Sequence, residues 1–139
     1  MSCFIQSLVG QEVKVSYKAG KSQSLVIPNF ALITSNDFTV DSKTGWITYL
    51  GSKQPTLYKF DLSLFYPSSD SVNSEISHHL SINKQSTSSL TNTLNANKNT
   101  VSGFCVASLK KNDVIKIEGL SQSNYACSYW DIKLSITPF

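Results

Sequence analysis

Residues 103–118 are the segment that most constrains how this chain can fold. They read as two short strands joined by a tight turn at 110–113, Lys-Lys-Asn-Asp. Apolar side chains alternate along both arms, at Val106, Leu109, Ile115 and Ile117. A turn between two alternating arms is typical of a β-hairpin. The segment therefore predicts a hairpin and a β-rich surrounding.

The same period-two alternation recurs along the chain, and no window of a dozen residues carries the apolar stripe of an amphipathic helix. The opening segment 12–28 reads as a hairpin or as two edge strands. In the clearest strand, 56–66, one face carries Tyr58, Phe60, Leu62, Leu64 and Tyr66, and Phe65 is the exception. In the last strand we expect one face to carry Trp130, Ile132, Leu134 and Ile136. Roughly eight to ten short strands separated by turn residues predict a β-sandwich or barrel.

Length and composition exclude several classes of protein. The 139 residues are enough for one domain with a single core. All 12 basic residues are Lys and the net charge is only +3, so the bidentate Arg contacts typical of nucleic-acid readers are missing. No stretch approaches the ~20 apolar residues of a membrane helix, and the first residues lack the features of a secretory signal. We expect no nucleic-acid partner, no membrane insertion and no secretory signal.

No motif in the sequence predicts catalysis or a cofactor. Gly-x-Ser-x-Gly, His-Glu-x-x-His and Gly-rich phosphate loops are all absent. His78 and His79 are adjacent on a predicted strand, where neighbouring side chains point to opposite faces and cannot share one metal ion. Asp37, Asp41 and Asp70 fall in predicted loops, where isolated aspartates form turns more often than calcium sites. We expect a non-enzymatic protein with no catalytic residue, no cofactor and no metal.

The cysteines and one polar segment leave alternatives open. Cys3, Cys105 and Cys127 form an odd set whose spacing matches no zinc module. Free buried thiols are the simpler expectation, and pairing of Cys105 with Cys127 stays open. Residues 85–100 are rich in Ser, Thr and Asn, which suits either a solvated loop or contact with a carbohydrate or receptor.

Three segments taken together resemble the trimeric jelly roll of the complement first-component globular heads and the tumour necrosis factor superfamily. Residues 38–66 carry a Thr-Gly turn followed by the aromatic strand Tyr-Lys-Phe, 103–118 resemble the family's Leu-Lys-Lys-Gly-Asp turn, and 130–139 resemble its final strand. The chain departs from the pattern in two places. Asn112 replaces the usual Gly, and 53–56 read Lys-Gln-Pro-Thr where Pro-Gly often precedes the aromatic strand.

The resemblance implies an all-β, antiparallel jelly-roll sandwich that assembles as a trimer. It covers residues 24–139, which leaves 1–23 as an N-terminal edge hairpin or docking segment. In such a trimer the inner sheet faces the neighbouring subunits, where Tyr and Phe are favoured. We therefore expect Tyr58, Phe60 and Trp130 at the trimer interface, whereas Leu62 and Leu64 stay inside the protomer. The alternative for this strand is core within one protomer.

Domains of this type resemble the heads of viral and bacteriophage fibres and capsid decorations. We expect a non-enzymatic virion or phage structural protein, such as a capsid decoration, fibre head or attachment module, that presents loops from a homotrimer. A single-jelly-roll capsid shell protein and a lectin-like carbohydrate-binding module are the alternatives. Its partners would be itself, other virion or fibre proteins, and a host receptor or glycan. Its expected location is the virion surface, or the cytoplasm of the producing cell before assembly.

Overall fold

The computed structural model describes residues 2–34, 37–65, 76–83, 85–86 and 100–139. These residues form twelve strands: β1 (Cys3–Gln6), β2 (Val13–Tyr17), β3 (Ser22–Ser24), β4 (Ala31–Thr34), β5 (Phe38–Val40), β6 (Ile47–Tyr49), β7 (Thr56–Phe65), β8 (Ile76–Ile82), β9 (Gln85–Ser86), β10 (Thr100–Leu109), β11 (Val114–Ser121) and β12 (Tyr125–Pro138). None of the described segments is a helix long and apolar enough to cross a membrane.

The strands form two antiparallel sheets that enclose one hydrophobic core. Sheet I has the order β10-β7-β12-β1-β4, with β2 paired to the N-terminal half of β12. Sheet II has the order β5-β6-β11-β8-β9, with β3 paired to the C-terminal half of β11. Each of the last three strands lies in the opposite sheet from the one before it. This arrangement confirms the predicted all-β jelly-roll sandwich.

The predicted turn at 110–113 is present, but the hairpin predicted around it is not. The backbone N–H of Asp113 donates to the carbonyl oxygen of Lys110 (3.0 Å), and Asn112 takes the left-handed conformation at φ 76°. However, β10 pairs with β7 in sheet I and β11 pairs with β8 in sheet II. The hairpin prediction is therefore wrong. Apolar and polar side chains alternate along both arms because one face of each arm packs against the shared core. This pattern is the same whether or not the arms pair with each other.

The N-terminal residues form part of the sandwich, and no boundary is visible at residue 23. β1 lies inside sheet I, where it pairs with β12 on one side and with β4 on the other. β2 pairs with β12 and β3 pairs with β11, so the turn between them also crosses from one sheet to the other. The strand pairing thus differs from an edge hairpin, because strands far along the chain supply the partners of 1–23. Docking of this segment onto another protein stays a prediction.

The turn between the paired neighbours β5 and β6 follows the sequence prediction. The Asp41 carboxylate accepts the backbone N–H groups of Lys43 (2.8 Å) and Thr44 (3.1 Å), and these bonds lower its pKa. Gly45 then takes φ 75°, where an added Cβ would lie 2.6 Å from the carbonyl oxygen of Ile27. A side-chain cap followed by a left-handed Gly is the expected chemistry of such a turn.

A β-bulge in β12 changes which residues of the last strand face the core. Between Trp130 and Lys133 this strand holds one residue more than β7, and Asp131 sits at φ 52°. Ser7, the residue directly after β1, holds the bulge in place through two hydrogen bonds. The N–H of Ile132 donates to Ser7 Oγ (2.9 Å), and the Ser7 N–H donates to the Ile132 carbonyl oxygen (2.8 Å). Such bulges shift the alternation by one residue. Tyr129 therefore faces the core in place of Trp130, which corrects the predicted face.

A chain of hydroxyl and imidazole groups links the two sheets through the core. The Tyr17 and Tyr129 hydroxyls are 2.8 Å apart, and Tyr129 Oη lies 2.9 Å from His78 Nε2. Tyr17 and Tyr129 belong to sheet I, whereas His78 belongs to sheet II. Gly119, the partner of His78 in register, leaves room for the Tyr17 hydroxyl, since a Cβ there would lie 2.3 Å from it. The link thus depends on the absence of a side chain at residue 119.

Candidate functional site

Two of the residues expected at the trimer interface lie in the core of the protomer. Tyr58 is 3% exposed and Phe60 is 0% exposed, and Leu62 and Leu64 are buried on the same side of β7. The expected division of this strand, with two residues at the interface and two inside, is therefore not seen. Side chains that one protomer already covers offer almost no surface to another. The alternative interpretation, core within one protomer, describes all four.

Trp130 lies on the opposite side of sheet I, the side turned away from the core. The bulge at Asp131 places Trp130 across from Phe65 of β7, and Trp130 is half-buried. Phe65 is itself 36% exposed. Contact of Tyr58, Phe60 or Trp130 with a neighbouring subunit stays a prediction, but of the three only Trp130 has surface available for it.

The outer face of sheet I, the face turned away from the core, is the most prominent surface feature of the described residues. Five of the large apolar side chains exposed on the protomer share it: Phe4, Leu57, Phe65, Phe104 and Val106. Phe104 is the most exposed of the five, at 61%. Several large apolar side chains exposed on one face of a sheet commonly mark an interaction site.

The register of sheet I shows how this face is built. Phe104, Asp61, Ser135 and Phe4 are direct neighbours on β10, β7, β12 and β1, so they form one row across the sheet. The row has an aromatic ring at each end and small polar groups between them. A groove of about 440 Å³ runs here, and Ser63, Ser102, Gly103 and Lys133 are among the other residues that line it.

Charged groups on the outer face of sheet I modify its apolar character. The Lys59 ammonium lies 4.9 Å from the Phe104 ring centroid and 3.7 Å from a carboxylate oxygen of Asp61. Both charged side chains are partly exposed, so the ion pair itself adds little stability. The face therefore offers aromatic surface with a few charges that could set the register of a partner.

Sequence reasoning missed most of this surface because it considered only the inward-facing residues of β7, which are buried in the protomer. The only signal in that strand was Phe65, the aromatic residue out of phase with the others. In β10 the inward positions are Cys105 and Leu109, so Val106, expected with Leu109, lies outside beside Phe104. Two apolar residues three positions apart cannot face the same way on a regular strand, and this spacing was the available warning.

The polar cluster Ser24–Glu118–His79 of sheet II does not have the geometry of a nucleophilic site. Glu118 Oε1 lies 3.0 Å from His79 Nε2, and the Ser24 hydroxyl donates to Glu118 Oε2 (2.9 Å). The carboxylate thus stands between the serine and the histidine, whereas a nucleophile–base pair requires a direct bond between those two. His78 faces the core and His79 faces outward. Within the described part of the chain, no three His, Cys, Asp or Glu side chains are grouped to hold a metal ion.

The remaining expectations are only partly covered by the described residues. Cys3, Cys105 and Cys127 form no disulfide bond, and burial raises the pKa of Cys127 to about 11. Asp41 forms its turn as described above. Tyr66, Asp70 and most of segment 85–100 lie outside the described residues.

Comparison with known proteins finds similarity in structure alone. No family model and no curated protein matches this sequence. The Eiger TNF of S. frugiperda superposes with a TM-score of 0.62 at 13% identity, over 100% of this chain and 92% of that one. The PRD1 vertex protein P5 gives 0.64 at 10% identity over 99% and 96%. Murine APRIL gives 0.62 at 8% identity over 99% of both chains. The chain thus has the jelly-roll fold of tumour-necrosis-factor-like proteins along its whole length.

Proposed function

We propose that this protein is a non-enzymatic structural protein of a virion or phage, which presents its loops from a homotrimer. The observation that carries this proposal is the exposed apolar outer face of sheet I. Burying that face against a second copy of the chain would remove its aromatic side chains from water. Aromatic residues flanked by a few charges are the composition found at the centre of protein–protein interfaces.

Threefold assembly is supported by the resemblance seen in the sequence and by the shared fold. In trimeric jelly rolls the inner sheet faces the neighbouring subunits, and we assign that role to sheet I because its outer face exposes aromatic side chains. In this arrangement sheet I would meet the other protomers, and sheet II would face outward together with the loops. Three copies of one weak loop contact would then act together and strengthen attachment through avidity.

The virion setting is supported by the similarity to a protein named as a phage vertex protein. We place the protein on the virion surface, or in the producing cell's cytoplasm before assembly. Other virion or fibre proteins would be its partners, together with a host receptor or glycan bound by the loops. The separation of Ser24 from His79 by Glu118 supports a role without catalysis.

Light scattering coupled to size exclusion, over a range of concentrations, tests the assembly. We expect a mass three times the chain mass of 15.3 kDa. Phe104→Asp places a charge at the most exposed aromatic side chain of this face and should produce monomers, since truncating an aromatic hot-spot side chain at an interface costs about 2 kcal/mol or more. Val26→Asp is the matched control, because Val26 is also exposed (47%) but lies outside this face.

A wild-type protein that stays monomeric at every concentration would refute the trimer. A trimer that Phe104→Asp leaves intact would refute the assignment of its interface. Closed shells in electron micrographs would favour the capsid-shell alternative, and binding on a glycan array by a monomer would favour the lectin-like one.

A further inference from the structure

The outer face of sheet II carries a second cavity, of about 340 Å³, lined by Trp46, Asn83, Val114 and Lys116. The register brings these residues together, because Ile115 of β11 pairs with Ile47 of β6 on one side and with Ile82 of β8 on the other. Trp46 directly precedes β6 and Asn83 directly follows β8. Ligand pockets start at about 300 Å³, so this cavity has room for one small molecule.

Among the described residues that line this cavity, Lys116 is the only one with a charged side chain. Its ammonium lies 3.8 Å from the centroid of the Trp46 ring. The two carboxylates nearest to it along β11 are engaged elsewhere. Asp113 accepts Asn83 Nδ2 and the backbone N–H of Lys110, and Glu118 is held by Ser24 and His79. The positive charge of Lys116 therefore rests on an aromatic face instead of on a carboxylate.

The rest of the lining is fixed in place before any ligand arrives. Asn83 holds φ 51° through a pair of bonds with Val114: its backbone N–H donates to the Val114 carbonyl oxygen (3.0 Å), and its Oδ1 accepts the Val114 N–H (2.9 Å). The Asn83 side-chain oxygen thus already accepts one hydrogen bond, and the amide nitrogen, which donates to Asp113, keeps a second hydrogen. Lys116 and Asn83 therefore both offer donors to a ligand.

The indole N–H of Trp46 is a donor without a hydrogen bond. Its indole Nε1 is buried and has no hydrogen-bond acceptor. Buried donors are nearly always paired in folded proteins, and this one is an exception. A lining with one positive charge, an unused amide hydrogen and an aromatic ring is complementary to a small molecule that has a carboxylate and a carbon skeleton.

We propose that this cavity binds a small organic carboxylate. The ligand's carboxylate forms an ion pair with the Lys116 ammonium, which moves from the indole face to the ligand. Trp46 and Val114 contact the ligand's carbon skeleton. The carboxylate could belong to an acidic sugar or to a simple organic acid. The site lies within one protomer, so it goes beyond the proposed trimer and does not depend on it.

The test follows the indole N–H resonance of Trp46 by two-dimensional NMR in ¹⁵N-labelled Trp130→Phe protein, which has a single indole. The probes are glucuronate, glucose and acetate at equal concentration and ionic strength. We expect a saturable shift with glucuronate, a weaker affinity for acetate and no shift with glucose. Lys116→Met should weaken glucuronate binding about tenfold or more, because a hydrogen bond to a charged group contributes about 1.5–3 kcal/mol. Lys133→Met, which removes a charge from sheet I, should not change it.

Equal shifts with glucose and glucuronate, no saturable shift with any probe, or full affinity in Lys116→Met would each overturn the carboxylate site. Equal affinities for acetate and glucuronate would overturn the contact with Trp46 and Val114. Repeating the titration in the Phe104→Asp background, which is expected to be monomeric, shows whether ligand binding depends on the oligomeric state.

Discussion

His78 should make the protein sensitive to acid, because it lies in the core as a neutral imidazole. The side chain is 0% exposed, Nε2 contacts the Tyr129 hydroxyl, and Nδ1 has no hydrogen-bond partner. Burial, followed by the neighbouring His79, lowers the pKa of His78 from 6.5 to about 4. Protonation would place a positive charge in an apolar core and leave its second N–H without an acceptor.

The size of the effect follows from the difference between the folded and unfolded pKa values. Because the folded pKa is the lower one, the stabilising contribution is present above pH 6.5 and is lost as the pH falls toward 4. With these two values, His78 alone removes about 2 kcal/mol from the free energy of unfolding by pH 5 and about 3 kcal/mol by pH 4. For a domain of ordinary stability this is a large part of the total.

The perturbation is His78→Gln, which keeps a polar group near Tyr129 but does not titrate. We would measure the free energy of unfolding by urea denaturation at fixed protein concentration, in steps from pH 7 to pH 4. Over this range the free energy of unfolding of the wild type should fall by about 3 kcal/mol more than that of His78→Gln. Both proteins have the same carboxylates, so subtracting one profile from the other removes the carboxylate contribution. His79→Gln is the matched control, since its partner Glu118 lies on the outer side of sheet II and the His78 contribution remains.

This reasoning would be refuted if the losses in free energy of unfolding of the wild type and His78→Gln differed by less than about 0.5 kcal/mol, the size of an ordinary surface effect. A His78 pKa near 6.5 measured by NMR in the folded protein would refute it directly.

Three further substitutions test the packing and the turns by urea unfolding. Gly119→Ala should destabilise the protein by about 1–3 kcal/mol, because its Cβ would lie 2.3 Å from the Tyr17 hydroxyl. The same substitution should cost less in the Tyr17→Phe background, which lacks that hydroxyl. An equal loss in both backgrounds would contradict the clash. Asn112→Ala should cost about 1 kcal/mol at φ 76° whereas Asn112→Gly should not, so equal effects would argue against the left-handed turn. Asp113→Ala should cost about 2 kcal/mol by removing the acceptor for Asn83 and Lys110, and a neutral result would show that neither bond contributes.

Much of the fold was predictable because local chemistry acts within a few residues. Asp41 and Gly45 specify their turn by a side-chain acceptor and a left-handed backbone, and Asn112 does the same at the other turn. The alternation of Tyr58 to Leu64 specifies a strand with one buried face. The candidate site was less predictable, because burial of that face in the protomer or against a neighbour leaves the same pattern in the sequence.

The sequence by itself determined the all-β class, the positions of most strands and the chemistry of two turns, since each depends on neighbours along the chain. The tertiary structure decided which strands pair across 110–113, because a tight turn fits a hairpin and a crossing between sheets equally well. It also decided which way Trp130 faces, because the bulge at Asp131 is held by Ser7, a residue more than a hundred positions away in the chain. Pairing and register depend on distant partners, and for that reason the exposed face around Phe104 became visible only in the folded protein.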